Sequence, residues 1–218
     1  MNNQDTASTQ LPVSIVILAG GHGERIGQDK ATLVLDGLSL LQRAINSASS
    51  LGDDVICVAR ADQNISADGA TFVHDPPGNK GILPAILAGL EHTSNDWIFL
   101  SACDMPFIQL PLVRYMLGLR QDYSIIVPRL SVGLEPFHTL YHRRVIPALR
   151  AAIADNERRV VSFYADQRVR EVNENEIRLY DPQLISFFNI NTHQDLTRAR
   201  NLVAQLESRN SAFRCIPT

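Results

Sequence analysis

The chain has 218 residues, 20% of them charged, with a net charge of -3, a balance that fits one soluble globular α/β domain. Its basic residues are scattered, so neither a nucleic-acid surface nor a polybasic membrane patch is expected. The longest apolar run, residues 13–19, is far too short to cross a bilayer.

Residues 1–10 are polar and lack a basic start followed by an apolar stretch. They read as a disordered lead rather than a signal peptide. Residues 208–218 read as a loose tail, which leaves 11–207 as the folded domain. Residues 13–19 predict a central strand buried on both faces. Leu40, Leu41, Ala44, Ile45, Ala48 and Leu51 recur at helical spacing and predict a helix over 39–51. Strands are expected over 54–59 and 70–74. A helix follows over 82–91, with Pro84 in its first turn. A buried strand over 97–102, a helix over 110–120 and a strand over 123–127 come next. Helices over 144–155 and 159–166, a strand over 169–172 and a last strand over 184–190 complete the body. Thr192 with Asp195 three residues on resembles a capping box and opens a helix striped by Leu196, Ala199, Val203 and Leu206. Strands alternating with helices predict a mostly parallel sheet covered on both faces. Ligands of such sheets bind beyond the carboxyl ends of the strands, which selects the loops after Ala19, His74 and Ala102.

The first of these loops reads Leu18-Ala-Gly-Gly-His-Gly-Glu-Arg-Ile-Gly-Gln-Asp-Lys30. Gly20, Gly21, Gly23 and Gly27 let the backbone approach a ligand closely, and successive N–H groups then cradle an anion. Arg25 and Lys30 add two cations, which together with the amides suit a triphosphate. The loop is not a P-loop, because no Gly-Lys-Ser/Thr is present. It also lacks the dinucleotide fingerprint, since three residues separate Gly23 from Gly27.

Cys103-Asp104-Met-Pro106 follows a buried strand, where one carboxylate suffices to hold Mg²⁺ on a nucleotide's phosphates; a turn or cap before Pro106 is an equal reading of Asp104 alone. Asp75-Pro-Pro-Gly78 is stiffened by its prolines, and Asp75 is either a strand-end turn or an acceptor for a ribose or base. Asn189-Ile-Asn191 places two amides on one face of the expected last strand. His22, His74, His92, His138, His142 and His193 show no ligand spacing. Cys57, Cys103 and Cys215 are far apart in sequence, which argues against disulfides and zinc and for a reducing cytoplasm. Cys103 is read as inert packing.

Leu18-Ala-Gly-Gly followed by Arg25, Gly27, Asp29 and Lys30 resembles the signature loop of the MobA-like nucleotidyltransferases. The likeness continues in order at Asp75, residues 81–89, Cys103-Asp104-Met-Pro106, Glu135-Pro-Phe-His-Thr-Leu-Tyr141 and Asn189-Ile-Asn191-Thr192. Within that family the molybdenum cofactor guanylyltransferases are the nearest pattern. The resemblance implies a single three-layer, Rossmann-like α/β domain of the nucleotide-diphospho-sugar transferase type. It implies a cytoplasmic, Mg²⁺-dependent enzyme that transfers GMP from GTP to molybdopterin carrying molybdenum and releases pyrophosphate. In that scheme Leu18, Ala19, Gly20 and Gly21 line the base and ribose side, and Arg25 and Lys30 hold the triphosphate. Asp75 contacts the nucleoside, Asp104 binds Mg²⁺, and Asn189 and Asn191 act on the molybdopterin or metal side. Arg25, Lys30 and Asp104 are then the catalytic set. Apo-molybdoenzymes or their chaperones would be the protein partners of an expected monomer. The pattern departs from the family at Ile56-Cys57-Val58-Ala59, where an Asn that reads guanine is often found, and at Gly81-Ile-Leu-Pro-Ala85. The loop from Arg25 to Lys30 is one residue shorter than in some members. Cytidylyl transfer from CTP to the same acceptor is the alternative; Leu18-Ala-Gly-Gly favours guanine, because the cytidylyltransferase relatives tend to carry Ala-Ala-Gly. Transfer to another phosphorylated acceptor is a further alternative.

Overall fold

The computed structural model describes residues 12–21, 26–52, 54–76 and 81–214. The expected lead at 1–10 lies outside them. In chain order the elements are β1 (Ser14–Leu18), β2 (Val34–Leu35), β3 (Leu38–Ser39), α1 (Leu40–Ala48), β4 (Val55–Ala59), β5 (Thr71–His74), α2 (Leu83–Glu91), β6 (Trp97–Ala102), α3 (Leu110–Gly118), β7 (Ile125–Leu130), β8 (Gly133–Leu134), β9 (His138–His142), α4 (Ile146–Ala154), β10 (Val169–Asn173), α5 (Glu174–Arg178) and α6 (His193–Arg214). The main sheet runs β10-β7-β9-β6-β1-β4-β5, with β8 on the edge of β7. Every pairing along this path is parallel except those of β9, which lies antiparallel between β6 and β7.

All five residues of β1 are buried because the strand is paired on both edges and covered on both faces. Ile15 and Ile17 pack with Leu41, Ala44 and Ile45 of α1 and Leu112, Val113 and Met116 of α3. Val16 and Leu18 pack on the other face with Leu83 and Ile86 of α2 and Leu149 of α4. This period-two split of one apolar run produces the three layers. Ser39 caps α1, its Oγ accepting from Gln42 N at 3.1 Å. Pro84 sits in the first turn of α2, where its missing N–H is harmless. Gly89 allows α2 to lie close on the sheet: a Cβ there would stand 2.5 Å from Val16 Cγ1.

Three expectations are corrected. Residues 184–190 form no strand; they hold a 3-10 turn at Ile185–Phe187. The buried Asp181 carboxylate accepts from Ile185 N and Ser186 N and bends the chain, with Leu184 in the left-handed region at φ 55°. Ile185 and Ile190 bury against α6 instead of in the sheet. Residues 159–166 contain a 3-10 helix, Val160–Tyr164, rather than an α-helix. The last helix begins where Thr192 and Asp195 predicted, with Asp195 N donating to Thr192 Oγ1 at 3.1 Å and Thr192 N to Asp195 Oδ2 at 3.0 Å. It continues to Arg214, into the stretch expected to be a loose tail.

Candidate active site

The carboxyl ends of β1, β4, β5 and β6 border a cleft of about 730 Å³. Its walls include Leu18, Gly20, Gly21, Lys30, Arg60, Asp75, Asp104, Glu135, Asn189 and Asn191. The three loops selected by the strand-end rule therefore meet at one place. Asn189 and Asn191 reach it from a loop rather than from a strand. Ile190 N donates to Asp104 O at 2.9 Å, so the two asparagines flank a residue fastened to the end of β6. Ala19 does not line the cleft: its side chain is fully buried in the core beneath it. Arg25, one of the two expected loop cations, lies outside the described residues, as do His22 and Cys215.

Lys30 is the electrostatic centre of the cleft. Its Nζ donates to Asp104 Oδ2 at 2.6 Å and to Asn191 Oδ1 at 2.5 Å, joining three segments 74 and 161 residues apart in sequence. The two charged side chains are only 12% and 18% exposed, so solvent screens the pair weakly. Lys30 opens a short 3-10 turn, Lys30–Thr32, capped by Asp29, whose Oδ1 accepts from Ala31 N at 3.0 Å. Sequence places the lysine; the cap aims it.

Burial pushes the Asp75 carboxyl up from its ordinary value. Its Oδ1 is buried with no partner among the described residues, an unspent acceptor on the cleft wall. Burial also raises Glu135; the bond from Phe137 N at 3.0 Å offsets part of this, and the charge of Asp104 adds to it. Burial drives the Cys103 thiol far up and the Cys57 thiol to about 12, so neither is a thiolate nucleophile at neutral pH. His138 is buried between Phe99 and Phe187 and burial holds its pKa down to about 3. Among the described residues no three His, Cys, Asp or Glu side chains cluster as a metal site.

A family model, the MobA-like NTP transferase domain, matches residues 15–171. The molybdenum cofactor guanylyltransferase of Desulfosudis oleivorans is 32% identical over 189 residues, covering 86% of this chain and 94% of that protein. The chain belongs to the MobA-like nucleotidyltransferase family. That of Vibrio cholerae is 32% identical and covers 85% and 90% of the two chains. The crystal structure of molybdopterin-guanine dinucleotide biosynthesis protein A from Archaeoglobus fulgidus superimposes with a TM-score of 0.75 at 26% identity, covering 88% of this chain and 99% of that one. A cytidylyltransferase from Thermus thermophilus, at 17% identity and a TM-score of 0.67, shares the fold. No helix among the described residues is long and apolar enough to cross a membrane.

Sequence reasoning from the MobA-like pattern missed three residues that the fold brings to the site. Glu135 has no sequence signal beyond its place in the Glu135-Pro-Phe-His-Thr-Leu-Tyr141 stretch. Arg60 follows β4 directly, and its Nη1 donates to Gly20 O at 3.0 Å; the strand-end rule applied to Ala59 finds it. Gln63 is buried behind the loop and carries no sequence signal, since a glutamine in a polar connection reads as solvated.

Proposed function

We propose that this nucleotidyltransferase moves the guanylyl group of GTP onto the terminal phosphate of molybdopterin carrying molybdenum, releasing pyrophosphate. The junction of Lys30, Asp104 and Asn191 carries the reading, because an ammonium, a carboxylate and a neutral amide meet on the lining of one cleft, the groups that would hold a phosphate and its metal ion. The sequence family supplies the donor and acceptor, through relatives whose names state guanylyl transfer to the molybdenum cofactor.

The donor set fits Mg²⁺. Magnesium takes one or two carboxylates and keeps water and phosphate oxygens for the rest of its shell. Among the described residues Lys30 occupies Asp104 Oδ2 and no hydrogen bond reaches Oδ1. When bound, the ion polarises the reacting phosphate and offsets charge on the departing pyrophosphate. The chain's own residues do the remainder. The amides at Gly20 and Gly21 and the Lys30 ammonium hold the triphosphate against its own repulsion. Asn191, with its Oδ1 spent on Lys30, keeps its Nδ2 hydrogens for the incoming phosphate. Asp75, on the cleft lining, offers its carboxylate to the nucleoside. Transfer of this kind depends on positioning and charge stabilisation more than on a protein nucleophile.

The test is calorimetric titration with Mg²⁺ and GTP, CTP, ATP or UTP in turn, with Lys30→Ala as control. The proposal expects GTP to bind tightest and Lys30→Ala to lose that binding. A preference for CTP would transfer the reading to cytidylyl transfer.

A further inference from the structure

We propose that Gln63 is a positioning residue that braces the two ends of the glycine-rich loop and so fixes the cradle for the triphosphate. The proposal rests on the reading of that loop as a phosphate site.

Gln63 lies four residues beyond β4, is 6% exposed and does not border the cleft. Its carboxamide is nevertheless committed to the loop. Nε2 has two hydrogens; one goes to Ala19 O at 3.0 Å and the other to Asp29 Oδ2 at 2.6 Å. Oε1 accepts from Arg60 N at 3.1 Å. One buried side chain thus ties the residue where the loop leaves β1 to the residue just before Lys30. Asp29 passes the constraint on, because its other oxygen caps the turn that carries Lys30. Arg60 reinforces the brace from the rim, donating to Gly20 O and standing 3.6 Å from Asp29 Oδ2.

The loop needs such a brace. Glycines gain close approach at the cost of backbone freedom, and an anion cradle holds charge only if its amides and its cation keep their spacing. A donor at Gln63 is required: two acceptors, a carbonyl and a carboxylate, face its Nε2. A carboxylate in its place sets a third acceptor against them.

Three proteins test this, the wild type, Gln63→Met and Gln63→Glu, each assayed for GTP affinity with Mg²⁺ per folded molecule, for thermal midpoint and for amide hydrogen exchange over residues 19–31 without ligand. The brace predicts that Gln63→Met weakens GTP about tenfold, roughly 1.4 kcal/mol, and speeds exchange over 19–31 but not in β6 or α3. It predicts a larger loss for Gln63→Glu, partly restored by adding Asp29→Asn, which returns a donor to the junction. A residue that merely supports the fold would lower the thermal midpoint and leave GTP affinity per folded molecule and the exchange pattern unchanged, and this result overturns the proposal. Wild type that binds GTP together with a Gln63→Met variant that binds it equally well sinks the brace and leaves the phosphate reading standing. Wild type that binds no nucleoside triphosphate overturns the phosphate reading and the brace with it.

Discussion

Breaking the Lys30–Asp104 pair in the ligand-free protein should cost stability that is recovered in part when both partners are removed. At 2.6 Å and an effective dielectric of 20, Coulomb's law gives about 6 kcal/mol. Desolvation of two largely covered charges cancels much of this, leaving the roughly 1.5–3 kcal/mol typical of a hydrogen bond between charged groups. Lys30→Met strands the Asp104 carboxylate, which is 18% exposed, and should lower stability by about 3 kcal/mol, the low end for an uncompensated buried charge. Asp104→Leu removes the carboxylate but leaves Lys30 its bond to Asn191 Oδ1 and should cost less. The double variant should then fall short of the sum of the singles by about 1.5–3 kcal/mol. Urea unfolding of the four proteins without nucleotide or Mg²⁺ measures the cycle. Additivity within about 0.5 kcal/mol would show that the pair is not coupled in solution and would remove the electrostatic centre on which the site is built.

Thr192→Ala removes the reciprocal cap of α6 and should cost about 1 kcal/mol, or about 2–4 °C in the thermal midpoint for a chain of this size. Glu135 has a folded pKa raised chiefly by burial, so its ionisation costs the fold stability as pH rises through that value. Glu135→Gln should therefore be the more stable protein at neutral pH, with the advantage vanishing below about pH 4, in thermal melts at the two pH values. Asp54 behaves in the opposite sense. Burial raises its carboxyl, but bonds from Ser14 and Ser94 outweigh that and leave it lowered. Its stabilisation is present above the unfolded value and is lost as pH falls through the folded one, so Asp54→Asn should be less stable at pH 7 and equal to wild type in acid. Gly89→Ala forces a methyl onto Val16 and should destabilise by about 1–3 kcal/mol, read as an earlier urea midpoint with an unchanged slope.

The central strands were legible because β1, β4 and β6 are continuous apolar runs ending at turn residues. The same property misled at residues 184–190, where an apolar run packs against α6 and a buried Asp181 turns the chain; periodicity does not separate these cases. The hairpin of β2 and β3 went unread although Asp36-Gly37, both at positive φ, is a strong turn signal. Lys30, Asp75, Asp104, Asn189 and Asn191 were reachable from strand-end position and family resemblance, and the fold brings all five to one cleft. Ala19 was misplaced because its role is backbone and core rather than lining. Gln63 was invisible because its meaning lies in three contacts made across 3, 34 and 44 residues of sequence.

The most direct measurement supplies the protein with Mg²⁺, molybdopterin carrying molybdenum, and GTP labelled at the α-phosphate or, separately, CTP so labelled. Label from GTP should appear in a dinucleotide product with one pyrophosphate released per transfer, and Asp104→Asn should lose about a hundredfold or more in rate. Transfer of label from CTP in preference to GTP, or wild-type rates in Asp104→Asn, would contradict this reading of the site.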